Sequence, residues 1–104
     1  MPWIILFLAG LFEITWAVGL KLSDGFTRFW PTLGTVIALI VSISLLGLAV
    51  RSLPIGTAYA VWTGIGAAGT VLVGIWFLGE PVSVGRLVCV GLIVTGVLGI
   101  KFVQ

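Results

Sequence analysis

Four long apolar runs fill almost all of this 104-residue sequence, and they leave one class of fold open. A helix needs about 20 mostly apolar residues to cross the ~30 Å hydrocarbon layer of a bilayer. The first run goes from Trp3 to about Leu20 and is stopped by Lys21. The second follows Pro31 and stops before Arg51. The third follows Leu53-Pro54 and ends at Gly79-Glu80-Pro81, and the fourth runs from near Arg86 to near Lys101. The spans are therefore expected at about 3–20, 31–50, 55–78 and 84–102. With 61% of residues hydrophobic and 8% charged, nothing remains from which to build a soluble domain. The expected fold is all-α and integral to the cell (inner) membrane: one four-helix transmembrane domain over 1–104, in contact with membrane lipid.

Other classes are disfavoured by what the chain lacks. Its five basic residues are scattered and form no patch, so nucleic acid is not an expected partner. A single cysteine, Cys89, allows no intrachain disulfide, and without histidine no Cys/His metal site can form, so no metal and no cofactor are expected. The first apolar run carries Glu13 and lacks the basic start and small-residue cleavage site of a signal peptide, so it is read as mature structure.

Fifteen glycines would weaken soluble helices, but in lipid small residues let helices approach closely. In the fourth span Gly91, Thr95, Gly96 and Gly99 offer a small face suited to helix pairing. In the third, Gly64, Gly66 and Gly69 form either a packing seam or a hinge. The basic residues carry topology information. Four spans put the N-terminus, Arg51 and Lys101 on one side, and Lys21, Arg28 and Arg86 on the other. Such a balance gives the positive-inside rule little to act on, and insertion in both orientations is the expectation.

Glu13 is the charged residue inside a span, and its structural reading is a protonated glutamic acid hydrogen-bonded between helices as glue. It sits within about two residues of the middle of its run, ~3 Å from mid-depth at 1.5 Å per residue, and no span interior holds a basic partner. A charged carboxylate facing lipid there is expensive, so it must face a cavity or interface with a proton or a cation for company. One turn to either side, Gly10, Trp16 and Ala17 share its face, glycine leaving space and tryptophan supplying an aromatic wall. On the third span Tyr59, Trp62 and Gly66 form a second stripe, and Ser42 is the mid-depth hydroxyl of the second. Ser42, Tyr59 and Trp62 are candidates to orient the carboxylate by donating hydrogen bonds to it.

A carboxylate among aromatic faces and hydroxyls in a low-dielectric setting is a cation site, and the same carboxylate can hold a proton. Competition of proton and cation for one group is the minimal chemistry of an antiporter. Four short helices offer little material for a pathway, so a homodimer that brings two Glu13 residues together is expected. Two copies inserted in opposite orientations would replace the inverted repeat that many transporters carry in one chain. A proton channel or rotor-type subunit would also need one buried carboxylate, but leaves Trp16, Tyr59 and Trp62 without a role. A structural helix-packing protein would use Glu13 as protonated glue and predicts no effect of Glu13→Gln on any flux.

Glu13, the segment Gly25-Phe26-Thr27-Arg28 leading to Pro31, Pro54-Ile55-Gly56-Thr57-Ala58-Tyr59-Ala60-Val61-Trp62, and Gly91-Leu92-Ile93-Val94-Thr95-Gly96-Val97 together resemble the small multidrug resistance family from end to end. Trp16-Ala17-Val18-Gly19-Leu20-Lys21 and Trp62-Thr63-Gly64-Ile65-Gly66 resemble its guanidinium exporter branch. The resemblance implies a transporter rather than an enzyme: an antiparallel homodimer with proton-coupled export at paired Glu13 carboxylates and dimer contacts through the fourth span, at Gly91 and Gly96. It implies substrate-facing roles for Glu13, Trp16, Ser42, Tyr59 and Trp62. The expected partners are a guanidinium-type cation and protons. Guanidinium suits a carboxylate because its planar N–H fork allows bidentate pairing, and Trp16 crowds the site in favour of a small ion. The alternative is a broad exporter of quaternary ammonium and other lipophilic cations.

Overall fold

The structure, a computed structural model, describes residues 2–103. It contains four helices: α1 (Pro2–Leu22), α2 (Phe29–Ala49), α3 (Ile55–Phe77) and α4 (Val84–Val103). Their 20 to 23 residues each give lengths of about 30–35 Å, enough to cross the hydrocarbon layer. All four are long and apolar enough to span, and no strand occurs among the described residues.

Local chemistry sets the helix ends. The α1–α2 turn is built on Ser23, whose Oγ donates to the Leu20 carbonyl at 2.8 Å and accepts from the Phe26 N–H at 3.0 Å. The Asp24-Gly25 turn signal is used there, with Gly25 at φ 69°. α2 starts at Phe29, two residues earlier than its proline suggests. Pro31 falls in the first turn, where the N–H that proline lacks has no intrahelical acceptor in any case. Glycine ends α3: Gly79 takes φ 68°, and the Leu78 and Glu80 N–H groups both close on the Gly74 carbonyl at 3.1 Å.

The core is small. Leu6, Ala9, Ala49, Leu53, Ala58, Val61 and Trp62 form its buried cluster, while Phe29, Trp30, Trp76, Phe77 and Phe102 are exposed. An exterior of this kind is inverted for water and ordinary for lipid, where all backbone polar groups are satisfied within the helices.

Glycine notches set how the helices approach one another. Ile65 of α3 occupies the space beside Gly10, the Glu13 carboxylate that beside Gly66, and Ile14 that beside Gly69. These contacts advance together along both chains, so α1 and α3 run parallel. Between α1 and α2 the order reverses: Ser42 bonds to Ala9, and Thr35 fills the notch at Gly19. α4 returns alongside α3, with Val97 in the Gly64 notch. Its C-terminal end comes back to the start of α1, where the Lys101 ammonium lies 5.9 Å from the centre of the Trp3 ring. Both ends of the helical bundle therefore lie on one side, as an even number of spans requires.

Candidate functional site

The site is assembled where α1, α2 and α3 cross at mid-length. α1 spans Pro2–Leu22, so Glu13 stands one residue past its centre, Phe12. Its carboxylate lies against the backbone of α3 in the space that a side chain at Gly66 would fill. Oε2 is buried and has no hydrogen-bond partner. The ion pair found among the described residues, Arg86 with Glu80, lies at the α3–α4 turn. Glu13 is thus a mid-depth carboxylate without a counter-charge. Trp16, one turn further along α1, holds its indole Nε1 buried and equally unpaired. A strong acceptor and a donor are left open within one helical turn of each other. Unsatisfied polar groups at this depth cost several kcal/mol each, so their presence is a reason to expect a ligand, a proton or a partner group.

One turn toward the N-terminus of α1 the chemistry is the opposite. Trp62 Nε1 donates to Ser42 Oγ at 2.9 Å, and Ser42 Oγ donates to the Ala9 carbonyl at 2.7 Å. Ser42 is fully buried and Trp62 nearly so. This chain ties three helices together in a satisfied layer, next to the unsatisfied layer of Glu13. Tyr59 packs against Trp62 in a tilted contact, with ring centroids 5.6 Å apart at 52°, and keeps 54% of its surface exposed.

These positions modify several expectations. Ser42 and Trp62 do not donate to the carboxylate, because the Ser42 hydroxyl donates to the Ala9 carbonyl and the Trp62 indole donates to Ser42 Oγ. The space beside Gly10 is taken by Ile65, and the glycine that opens beside the carboxylate is Gly66 on the facing helix. Gly64 and Gly66 lie in an unbroken α-helix and both receive side chains, Val97 and Glu13. On α4, Gly91, Gly96 and Gly99 face open space, with nothing within 4 Å of where a Cβ would stand. A groove of about 320 Å³ between α1, α3 and α4 is lined by Trp3, Phe7, Val61, Ile65, Val97 and Lys101, and holds none of the residues singled out for the site. Sequence reasoning missed the Ala9 carbonyl, which side-chain patterns do not signal. It also missed the knobs Ile14 and Ile65, which look like any other lipid-facing isoleucine.

The arrangement leaves one carboxylate oxygen and one indole N–H open a helical turn apart, with no ion-pair partner for the carboxylate among the described residues. Among the described residues no group of His, Cys, Asp and Glu is suited to a metal ion. Comparison with known proteins adds to this geometry. The family described as Small Multidrug Resistance protein matches residues 1–93. Proteins named guanidinium exporter from Citrobacter freundii and from Salmonella typhimurium are each 56% identical to this chain over 101 residues, covering 97% of it and 96% of each relative. One from Yersinia pseudotuberculosis is 54% identical, with 97% of both chains covered.

Proposed function

The chain belongs to the Small Multidrug Resistance protein family, and from that premise we propose that it exports guanidinium and small guanidinyl cations in exchange for protons, both competing for Glu13. It is a multi-pass membrane protein, and a transporter rather than an enzyme. The observation that carries the proposal is the half-buried Glu13 carboxylate at mid-depth, whose Oε2 is buried and unpaired, in a chain 56% identical over nearly its whole length to guanidinium exporters.

The chemistry follows from what Glu13 lacks. With no hydrogen bond to Oε2 and no salt bridge among the described residues, its carboxylate is free to take a proton or to accept two parallel N–H bonds from a planar guanidinium. Charge-assisted bonds of this type are strong where water is excluded, and a proton on the carboxylate removes them, so the two ligands exclude each other. Trp16 and Tyr59 offer flat faces for a planar cation to stack on. The Trp62–Ser42–Ala9 chain holds the neighbouring layer rigid, which fixes the wall of the site.

The functional unit of this proposal is an antiparallel homodimer. Its pairing surface is the open glycine face of α4 at Gly91 and Gly96, and the site is shared between the two Glu13 residues. The near balance of basic residues across the two sides supports insertion both ways up. The test is uptake in proteoliposomes of the purified protein, with a pH gradient as the only driving force. Guanidinium should accumulate against its gradient, and protons should move the other way. Absence of guanidinium accumulation, with accumulation of a quaternary ammonium instead, would assign the chain to broad lipophilic-cation export. Adding two lysines to one set of loops should abolish transport, and coexpression with the oppositely biased variant should restore it. Full activity from one forced orientation would reject the antiparallel dimer.

A further inference from the structure

We infer that Gly66 is a positioning residue for Glu13: its missing side chain is the seat that sets where the carboxylate lies. The inference rests on the proposal that Glu13 is the shared binding site, and deepens it. A Cβ at position 66 would coincide with the Glu13 carboxylate, meeting its Oε2, Cδ and Cγ atoms, with no other residue among its three nearest neighbours. The seated Oε2 is buried and accepts no hydrogen bond, so what holds it is the shape of the notch.

The notch cannot easily widen. On one side of it Ile65 is locked into Gly10, and on the other Ile14 is locked into Gly69. These two fits face opposite ways across the α1–α3 contact and flank the carboxylate, so they fix both the spacing and the axial register of the helices. A methyl group added at 66 must therefore displace the carboxylate itself. Bidentate capture of a planar fork depends on orientation, and misplacement by about 1 Å is enough to cost on the order of 100-fold. Gly64, two residues earlier, provides the contrast. Its notch holds Val97 of α4, an apolar contact with no link to the carboxylate.

The experiment is a double-mutant cycle with Gly66→Ala and Glu13→Asp, reading guanidinium binding by calorimetry and the apparent unfolding temperature of the purified protein. Aspartate is shorter by one methylene and withdraws the carboxylate from the seat. Gly66→Ala should weaken guanidinium binding roughly 10–100-fold in the native background and less than about 3-fold in the Glu13→Asp background, a strongly non-additive result. The unfolding temperature should show the same non-additivity without any ligand. Gly64→Ala should have the same effect in both backgrounds. Equal losses from Gly66→Ala in both backgrounds, or no loss in the native one, would overturn the assignment. If Gly66→Ala alone does not fold, Glu13→Asp should restore folded protein, and failure in both backgrounds would also overturn it. Failure of the proposed function looks different: transport would then survive Glu13→Gln whatever the outcome of the cycle.

Discussion

Glu13 and Glu80 are both tucked against glycines of α3, the first against Gly66 and the second against Gly74. They differ in what they meet there. Glu80 Oε1 accepts a hydrogen bond from Arg86 Nη2 at 3.2 Å, Arg86 Nη1 donates to the Pro81 carbonyl at 2.9 Å, and both charged side chains remain about a third or more exposed. Glu13 is in the middle of the bundle and its Oε2 has no partner. A glycine notch is thus a general way to lay a carboxylate on a helix backbone, and by itself it says nothing of function. Depth and the missing counter-charge separate a fastened turn from the proposed binding site.

The largest expected effect is at the unpaired carboxylate. Glu13→Gln should abolish guanidinium uptake driven by a pH gradient and weaken binding by on the order of 100-fold or more, since two charge-assisted hydrogen bonds of ~1.5–3 kcal/mol each are lost with the charge. The matching Glu80→Gln should leave initial uptake rates within about 3-fold of the native protein, because an exposed pair contributes little. Comparable losses in the two variants would erase the distinction between the two notches.

Substrate discrimination should be nearly as large. Tetramethylammonium carries the same charge without N–H donors, so guanidinium should be preferred about 100-fold in competition for binding. Trp16→Gly should narrow that preference by admitting bulkier cations. Equal competition by the two ions in the native protein would favour broad cation export instead.

Much of this comparison was legible in the chain and part of it was not. The four apolar runs and the depth of Glu13 follow directly from length and hydropathy, because in lipid every span must satisfy its own backbone. The early start of α2 at Phe29 was hidden by Pro31, since proline marks a first turn without fixing its first residue. The partner of each glycine was not readable either. Periodicity places Gly10 and Glu13 on one face of α1, but the rotation and register between helices decide that Ile65 fills the first notch and that Glu13 fills Gly66. Likewise Ser42 and Trp62 stand out as polar groups inside apolar runs, while their bonds to each other and to the Ala9 carbonyl emerge only from the three-helix crossing.

The satisfied layer predicts a middling effect. Trp62→Phe keeps the aromatic surface and deletes the 2.9 Å bond to Ser42, which leaves Ser42 bound to Ala9. Side-chain hydrogen bonds between membrane helices average ~0.6 kcal/mol with a maximum near 1.7 kcal/mol, so guanidinium affinity and unfolding temperature should fall modestly, by no more than about 20-fold in affinity. A loss as deep as that of Glu13→Gln would mean that Trp62 contacts the cation directly. The smallest effect belongs to the turn: Glu80→Gln should cost less than about 1 kcal/mol of stability, and high salt should reduce the difference further. A difference that persists in high salt would point to the Gly74 packing rather than the ion pair.

The central claim is that proton and cation occupy the same carboxylate, and proton release on binding tests it most directly. In weakly buffered solution, with Glu13 initially protonated, addition of guanidinium to the purified native protein should release protons in step with binding, and the Glu13→Gln variant should release none. Guanidinium that binds the native protein with no release of protons under those conditions would contradict the account.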